Sequence, residues 1–309
     1  MITDYRTVLV TGGTGSFGRA FVQYLVDRLK VTGLGPKKLI IFSRDEFKQH
    51  QMQAEIPETD DGIIRYHLGD IRDIERLRIA FNGVDFVVHA AAMKHVPACE
   101  RDPMEAIKTN VLGSENVIRA ALECGVERVV ALSTDKAVCP INFYGATKLQ
   151  AEKLFQLAYN YGKTDFVVTR YGNVFGSSGS VVKVFLDCKA AGKPLPITDM
   201  SMTRFLISMN EAINLVRQAL NGDWGKGAIL VPKLEACTMK ALADYIAPNL
   251  PKNIIGIRHG EKRHESLIAA HEAYDDFGSL YKVHRDGSLY GNSYESCDHV
   301  DNSIIETFF

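Results

Sequence analysis

Short apolar runs recur through the first half of the chain and alternate with segments whose apolar residues return every three or four positions. The runs at 8–10, 38–42, 64–68, 85–89 and 128–132 have the length of strands, and each opens into a glycine-rich, small or polar stretch. The stretches at 19–29, 74–80, 103–124 and 144–159 carry a helical period. Regular alternation of strand and helix predicts an α/β fold built on a doubly wound parallel sheet, with any ligand lying beyond the carboxyl ends of the strands. After a further strand at 167–170 the pattern thins into the polar loop RYGNVFGSSGSVV, with amphipathic helices at 211–220 and 239–250. This divides the chain into 1–170, a nucleotide-binding half, and 171–309, a smaller mixed α/β substrate-binding lobe. Strands are free to cross between them, and the polar, aromatic tail at 274–309 is expected to close over the site or to pack on a neighbouring subunit.

With 309 residues, 46% hydrophobic and 24% charged, the chain can bury a full core. A net charge of -1 and the lack of a dense basic cluster offer no global attraction to nucleic acid or to anionic lipid. No apolar stretch approaches the roughly 20 residues that span a bilayer, and residues 1–6 lead straight into the first strand, so no leader is expected. The six cysteines, at 99, 124, 139, 188, 237 and 297, lack CxxC spacing, which favours reduced thiols and a cytoplasmic location. No metal is expected: His259 and His264 have no convincing ligand partners around them.

The first strand opens into TGGTGSFG, in which Gly12, Gly15 and Gly18 keep three-residue spacing around Thr14, Ser16 and Phe17. Strand, glycine turn and helix in that order make a Rossmann-type dinucleotide site, the glycines allowing a sharp turn, close approach to a pyrophosphate and tight helix packing. The second strand ends in Ser43-Arg44-Asp45, with Lys48 one turn later. Cations there suit a 2′-phosphate, so NADP is expected over NAD, and Asp45 keeps NAD open. Asp70 and Ile71 follow the third strand, where Asp70 is expected near the adenine. Ala90, Ala91 and Ala92 follow the fourth, small enough for a nicotinamide ribose to approach. Lys94 and His95 face the cofactor or substrate, or else serve helix entry.

The densest chemistry lies in Ser133-Thr134-Asp135-Lys136-Ala137, followed by Tyr144 and Lys148. Four residues apart on a helix, Tyr144 and Lys148 share one face. A free phenol titrates near pH ~10, and bringing it to neutral pH takes about 4 kcal/mol of preferential stabilisation of the anion, which a neighbouring ammonium in a desolvated pocket can supply. Tyr144 is then a base for a sugar hydroxyl. Thr134 bonds either the sugar or the phenol, or simply satisfies the strand end.

Through TGGTGSFG, the aspartate of LGDIRD, HAAAMKHV and YGATK, residues 7–268 resemble the extended short-chain dehydrogenase/reductase superfamily. Thr134-Asp135-Lys136, SRDEFKQ, AAMKHVPACERDPMEAIKTNVLG, RYGNVFGSSGSV, MTRF and GIRHGEK look like the inverting UDP-N-acetylglucosamine 4,6-dehydratases within it. The resemblance implies tightly held, internally recycled NADP, UDP-N-acetylglucosamine as substrate, C5 inversion and a homo-oligomer. C4 is oxidised with Tyr144 as base and Lys148 lowering its pKa. Lys136 then removes the C5 proton while Asp135 protonates the oxygen leaving C6. A lysine base must be partly deprotonated, which demands desolvation or nearby positive charge. The substrate is expected at Lys94, Tyr171, Asn173, Ser180, Lys183, Arg204, Arg258 and Glu261, the two arginines reading phosphate or uracil. Ser178, Lys183, Leu206 and His259 depart from the family's usual residues, all on the substrate side. The rival readings are a retaining 4,6-dehydratase or an epimerase on another UDP-sugar, and, from a different class, an NADP-sensing protein without turnover.

Overall fold

The computed structural model describes residues 3–177, 179–284 and 292–309; of the positions singled out above, Ser178 lies outside them. Six parallel strands come from the first half: β1 (Thr7–Thr11), β2 (Lys38–Ser43), β3 (Ile64–Leu68), β4 (Phe86–His89), β5 (Arg128–Leu132) and β6 (Asp165–Thr169). Val10 sits between Ile41 and Val88 in register. Helices cover both faces, so the central strands are buried on each side, which is why they read as continuous apolar runs. The helices are α1 (Ser16–Thr32), α2 (Glu46–Glu55), α3 (Ile74–Phe81), α4 (Val96–Arg101), α5 (Pro103–Ala106), α6 (Gly113–Glu123) and α7 (Phe143–Leu157). The single helix expected at 103–124 is instead α5 and α6 joined by a π-helical segment, Ile107–Leu112. Within that segment the buried Asn110 turns inward, accepting from the Met93 N–H at 2.8 Å and donating to the Met93 carbonyl at 2.9 Å and to the Thr147 hydroxyl at 3.0 Å. The widened turn thus ties the β4–α4 loop to α7.

The second half contributes β7 (Asn173–Val174), α8 (Val181–Ala190), β8 (Leu195–Ile197), β9 (Thr203–Ile207), α9 (Met209–Asn221), β10 (Ile229–Pro232), β11 (Ala236–Thr238), α10 (Met239–Ile246), β12 (Lys252–Ile254), β13 (Ser266–Ile268), β14 (Tyr274–Asp276), β15 (Leu280–Val283) and β16 (Tyr294–Glu295). A reciprocal cap starts α9, with Ser208 and Glu211 each bonding the other's backbone. The nine-stranded sheet runs β14-β15-β10-β6-β5-β4-β1-β2-β3, so the chain returns after residue 170 to extend the sheet that its first half began. β10 joins β6 in parallel, and β15 and β14 then close that edge antiparallel. Among its described residues, part of the tail is sheet, β16 pairs with β13, and Ile304, Ile305 and Phe308 pack into a second core with Val182, Phe185, Leu195, Leu206, Leu242 and Ile246. Among the described residues no helix is long and apolar enough to cross a membrane.

Candidate active site

The glycine turn, the β4 loop and the turn at Asp135–Ala137 all stand at the carboxyl ends of parallel strands, the edge at which such sheets bind ligands. Gly12 has φ +64°, and a Cβ there would lie 2.8 Å from the Ala91 Cα, so the turn after β1 presses on the loop after β4. Helix α1 starts at the exposed Gly15 with no side chain capping its first turn, a start suited to an anion. Phe17 turns its ring into the core against Phe21, leaving its backbone alone on the ligand side. A backbone cradle of this kind fits a dinucleotide pyrophosphate.

At the end of β2, Arg44 and Lys48 are well exposed, with Arg44 only 3.6 Å from Asp70. Asp45 caps α2 by accepting from the Lys48 N–H at 3.0 Å. Ser43 is largely buried and accepts from Gln49 Nε2 at 3.0 Å, which ties the strand end to α2. Asp70 accepts from the Arg72 guanidinium at 2.7 Å and from its N–H at 3.0 Å, which occupies the carboxylate expected to meet adenine. Ile71 is core, packed where Gly113 leaves room. Ala90 and Ala91 are half-buried, Ala92 and Lys94 exposed.

Residues Asp135–Ala137 form one 3-10 turn beyond β5. It sits directly on the first turn of α7: a Cβ on Gly145 would lie 2.1 Å from the Lys136 carbonyl oxygen, so only glycine permits the approach. Asn142 caps α7 by accepting from the Gly145 N–H at 2.7 Å and donates to the Gly260 carbonyl at 2.8 Å. The Thr134 hydroxyl donates to Asp135 Oδ1 at 2.8 Å and is hydrogen-bonded to the Tyr144 phenol. Lys136 Nζ donates to the same Oδ1 at 3.0 Å and to Asn173 Oδ1 at 3.5 Å. Asp135 is fully buried, and its Oδ2 has no hydrogen-bond partner. The line of contacts Tyr144, Thr134, Asp135, Lys136 thus unites four of the five expected catalytic residues.

The fifth, Lys148, turns elsewhere: its Nζ donates to the Leu132 carbonyl at 2.7 Å. Burial pushes its ammonium down to about 8, with Glu152 opposing. Burial also pushes the Tyr144 phenol up to about 12, and the cation that draws it down is Lys136. Lys148 is thus engaged with the end of β5, and Lys136 is the cation that draws most on the phenol. The expectation of a partly neutral Lys136 is overturned. Burial does push its ammonium down, but Asp135 and a second carboxylate, Glu265 at 3.4 Å, outweigh burial and Arg204 and hold it above the usual lysine range.

Around the turn, the expected substrate residues sort unequally. Arg204 is no open phosphate contact: it is buried and donates to the carbonyls of Thr203, Lys262 and Arg263 and to Met202 Sδ, while Glu261 sits 3.5 Å away. Lys262 also points inward, donating to the Val138 carbonyl at 2.6 Å. Together with Gly260 they clasp the loop at 258–263 onto the segment from Asp135 to Asn142. Tyr171 is buried in the main core, and burial raises its phenol; its carbonyl accepts the Asp135 N–H at 3.0 Å. Arg258 and Lys183 are exposed, and Ser180 begins α8 with an unpartnered hydroxyl. Sequence reasoning missed Glu265, Lys262 and the buried His89, whose imidazole burial pushes down to about 3 and which bridges Thr11 and Ser114. Charged residues in a polar run carry no period that marks them as buried, so the only signal for Glu265 was its closeness to GIRHGEK.

Comparison with known proteins gives a consistent outcome. The chain is 49% identical over 284 residues, covering 90% of it and 82% of the relative, to a UDP-N-acetylglucosamine 4,6-dehydratase (inverting) from Campylobacter jejuni. It is 42% identical, over 91% of its length and 84% of the relative, to a UDP-glucose 4-epimerase from Rickettsia canadensis. The X-ray structure of Pen from Bacillus thuringiensis matches with a TM-score of 0.91 at 32% identity, covering 100% of this chain and 99% of that one. A family model described as polysaccharide biosynthesis protein matches residues 8–284, and with these relatives it shows that the chain belongs to that family.

Proposed function

We propose that this protein is a lyase that dehydrates UDP-N-acetylglucosamine across C5 and C6 with inversion at C5, using NADP held through the reaction. One observation carries the reading: Asp135 and Lys136 form a contacting acid–base pair at 3.0 Å, beside a buried tyrosine and beyond a nucleotide-binding sheet. The glycine turn, Ala90, Ala91 and Ala92 would hold the dinucleotide, and Arg44 and Lys48 its 2′-phosphate. The commitment of Asp45 to capping α2 supports NADP over NAD. When bound, NADP supplies the redox chemistry, oxidising C4 and later reducing C6.

The chain's own residues move the protons. Tyr144 receives the O4 proton, with the Thr134 hydroxyl bonded to the phenol and the Lys136 charge favouring the phenolate. A ketone at C4 acidifies C5–H. Passing one proton from the Lys136 ammonium to Asp135 makes both groups the elimination needs: an amine that takes the C5 proton and a carboxylic acid that protonates the departing O6. The unpartnered Oδ2 is the free position for that acid proton. Inversion requires the returning proton to reach C5 from the face opposite Lys136. Arg258 and Lys183, both exposed, are the cations available to the diphosphate. Six free thiols support a reducing, cytoplasmic setting, and exposed Met104, Leu112 and Leu157 support assembly with further copies.

A 4-epimerase acting on a UDP-hexose is the second reading, favoured by the likeness to the rickettsial protein. Incubation with UDP-N-acetylglucosamine in deuterated water, followed by proton NMR, decides between them. The expected product is a 4-keto-6-deoxy sugar with deuterium at C5 and L-arabino couplings. A 4-epimer without deuterium at C5 would overturn the dehydratase reading.

A further inference from the structure

Glu265, on the turn into β13, is 2% exposed and belongs to no step derived above. Its Oε1 lies 3.4 Å from Lys136 Nζ and 4.0 Å from Arg204 Nε, and its Oε2 lies 3.8 Å from Lys262 Nζ and accepts no hydrogen bond. Its backbone is pinned on both sides: the N–H donates to Ser296 Oγ at 2.9 Å, and the carbonyl accepts from the Ser296 N–H at 2.8 Å. Ser296 Oγ is in turn 2.6 Å from Thr203 Oγ1, which meets His264 Nδ1 at 2.8 Å. A carboxylate buried without hydrogen bonds is costly unless cations compensate it. Three cations do so here, and one of them is the proposed base.

The groups facing Lys136 are Asp135 from its own turn, Asn173 from β7, Tyr144 from α7, Arg204 from β9 and Glu265 from the segment before β13; Lys262 stands behind Glu265. Asp135 and Glu265 share a single ammonium. Moving its proton to Asp135 leaves the Glu265 charge facing a neutral amine, so Glu265 opposes that transfer.

We infer that Glu265 is a positioning residue for the acid–base pair, anchoring the Lys136 ammonium and setting how readily Lys136 gives up its proton. The inference rests on the dehydratase reading for its catalytic meaning, and on geometry alone for the contact. Neutralising Glu265 removes an interaction that favours the charged amine, so Lys136 deprotonates at lower pH.

The test uses the full chain carrying Glu265→Gln or Glu265→Asp, the latter withdrawing the charge by one methylene. Competitive acetylation of Lys136 with acetic anhydride, read by peptide mass spectrometry against pH, reports the neutral amine without turnover. E265Q is expected to label at least one pH unit lower than the unaltered protein, about tenfold faster at a fixed pH, and E265D at an intermediate pH. In parallel, the descending limb of C5 deuterium incorporation from UDP-N-acetylglucosamine, where the pair loses the Lys136 proton to solvent, moves to lower pH in the same order, with KM changed less than twofold. Labelling that is unchanged in both variants overturns the inference, as does a raised KM with an unmoved limb, which marks a mere substrate contact. If the unaltered protein does not process UDP-N-acetylglucosamine, the dehydratase reading fails, and the labelling series still decides whether Glu265 governs Lys136.

Discussion

Lys148 gives its ammonium to the carbonyl of Leu132, the last residue of β5, at 2.7 Å. The contact holds a buried cation at the strand end, one helical turn along from Tyr144. It has a thermodynamic signature: burial holds the Lys148 pKa at about 8 in the folded chain, below its unfolded value. From pH ~8 to ~10.5 the unfolded chain binds more protons at this position, so stability rises with pH through that window. Across the whole window the gain is about 3 kcal/mol, since each tenfold change in proton affinity is worth ~1.4 kcal/mol. In Lys148→Met the rise in urea-unfolding free energy between pH 7.5 and 10 is expected to shrink by about 2 kcal/mol relative to the unaltered chain. Parallel curves for the two proteins would contradict it.

Tyr144→Phe and Lys136→Gln should separate the two proton-transfer stages. Loss of the phenol is expected to slow turnover by roughly 10²–10⁴ through C4 oxidation, with the fold retained, since it removes one hydroxyl bonded to Thr134. Lys136→Gln spares oxidation and abolishes deuterium uptake at C5. NMR of C5 with a 340 nm record of the reduced cofactor reads both. Equal loss of both signals in K136Q would refute the assignment of Lys136 to C5.

Arg44 stands exposed beside the end of β2 with only a loose pairing to Asp70. Arg44→Ala is expected to weaken NADP binding ten- to a hundredfold, corresponding to about 1.5–3 kcal/mol for a charge-assisted bond, while NAD affinity moves less than threefold. Fluorescence titration with both reduced dinucleotides measures the ratio. Equal weakening would remove the 2′-phosphate role.

Arg170 is fully buried and is bonded by Glu152 of α7, by Glu272 and by the Leu267 carbonyl, at 2.7–3.0 Å. Removing the guanidinium leaves two carboxylates buried without their partner, a cost of about 3–5 kcal/mol. Arg170→Met should therefore lower Tm by of order 10 °C in a scanning calorimeter. A change under about 2 °C would mean the triad carries little stability.

What was legible in the chain follows from the range of the forces involved. The turn from Val10 through Gly18 is local, so apolar continuity and glycine spacing were enough to place it, and the same holds for Asp135, Lys136 and Tyr144, joined by one turn and one helix start. Glu265 and Lys262 reach the site across more than a hundred residues, through contacts that leave no period. Arg204 shows the converse: an arginine in MTRF invites a phosphate reading, yet three carbonyls already take its donors. β14 and β15 were missed because strands of three and four residues with polar neighbours resemble a loop until β10 offers them an edge.

The sheet that leaves at residue 170 and resumes at β10 also orders the birth of the protein. Glu272 is translated 102 residues after the arginine it neutralises, and β10 and β15 arrive just as late. A nascent chain that has emerged only as far as Arg170 already carries the glycine turn and Asp135, Lys136 and Tyr144, yet Arg170 still lacks its second carboxylate and β6 is still an open edge. The ribosome must pass Glu272 before the Arg170 cluster that holds Glu152 of α7 is complete, so products cut short of that point leave the ribosome with this anchor of the helix bearing Tyr144 and Lys148 unfinished.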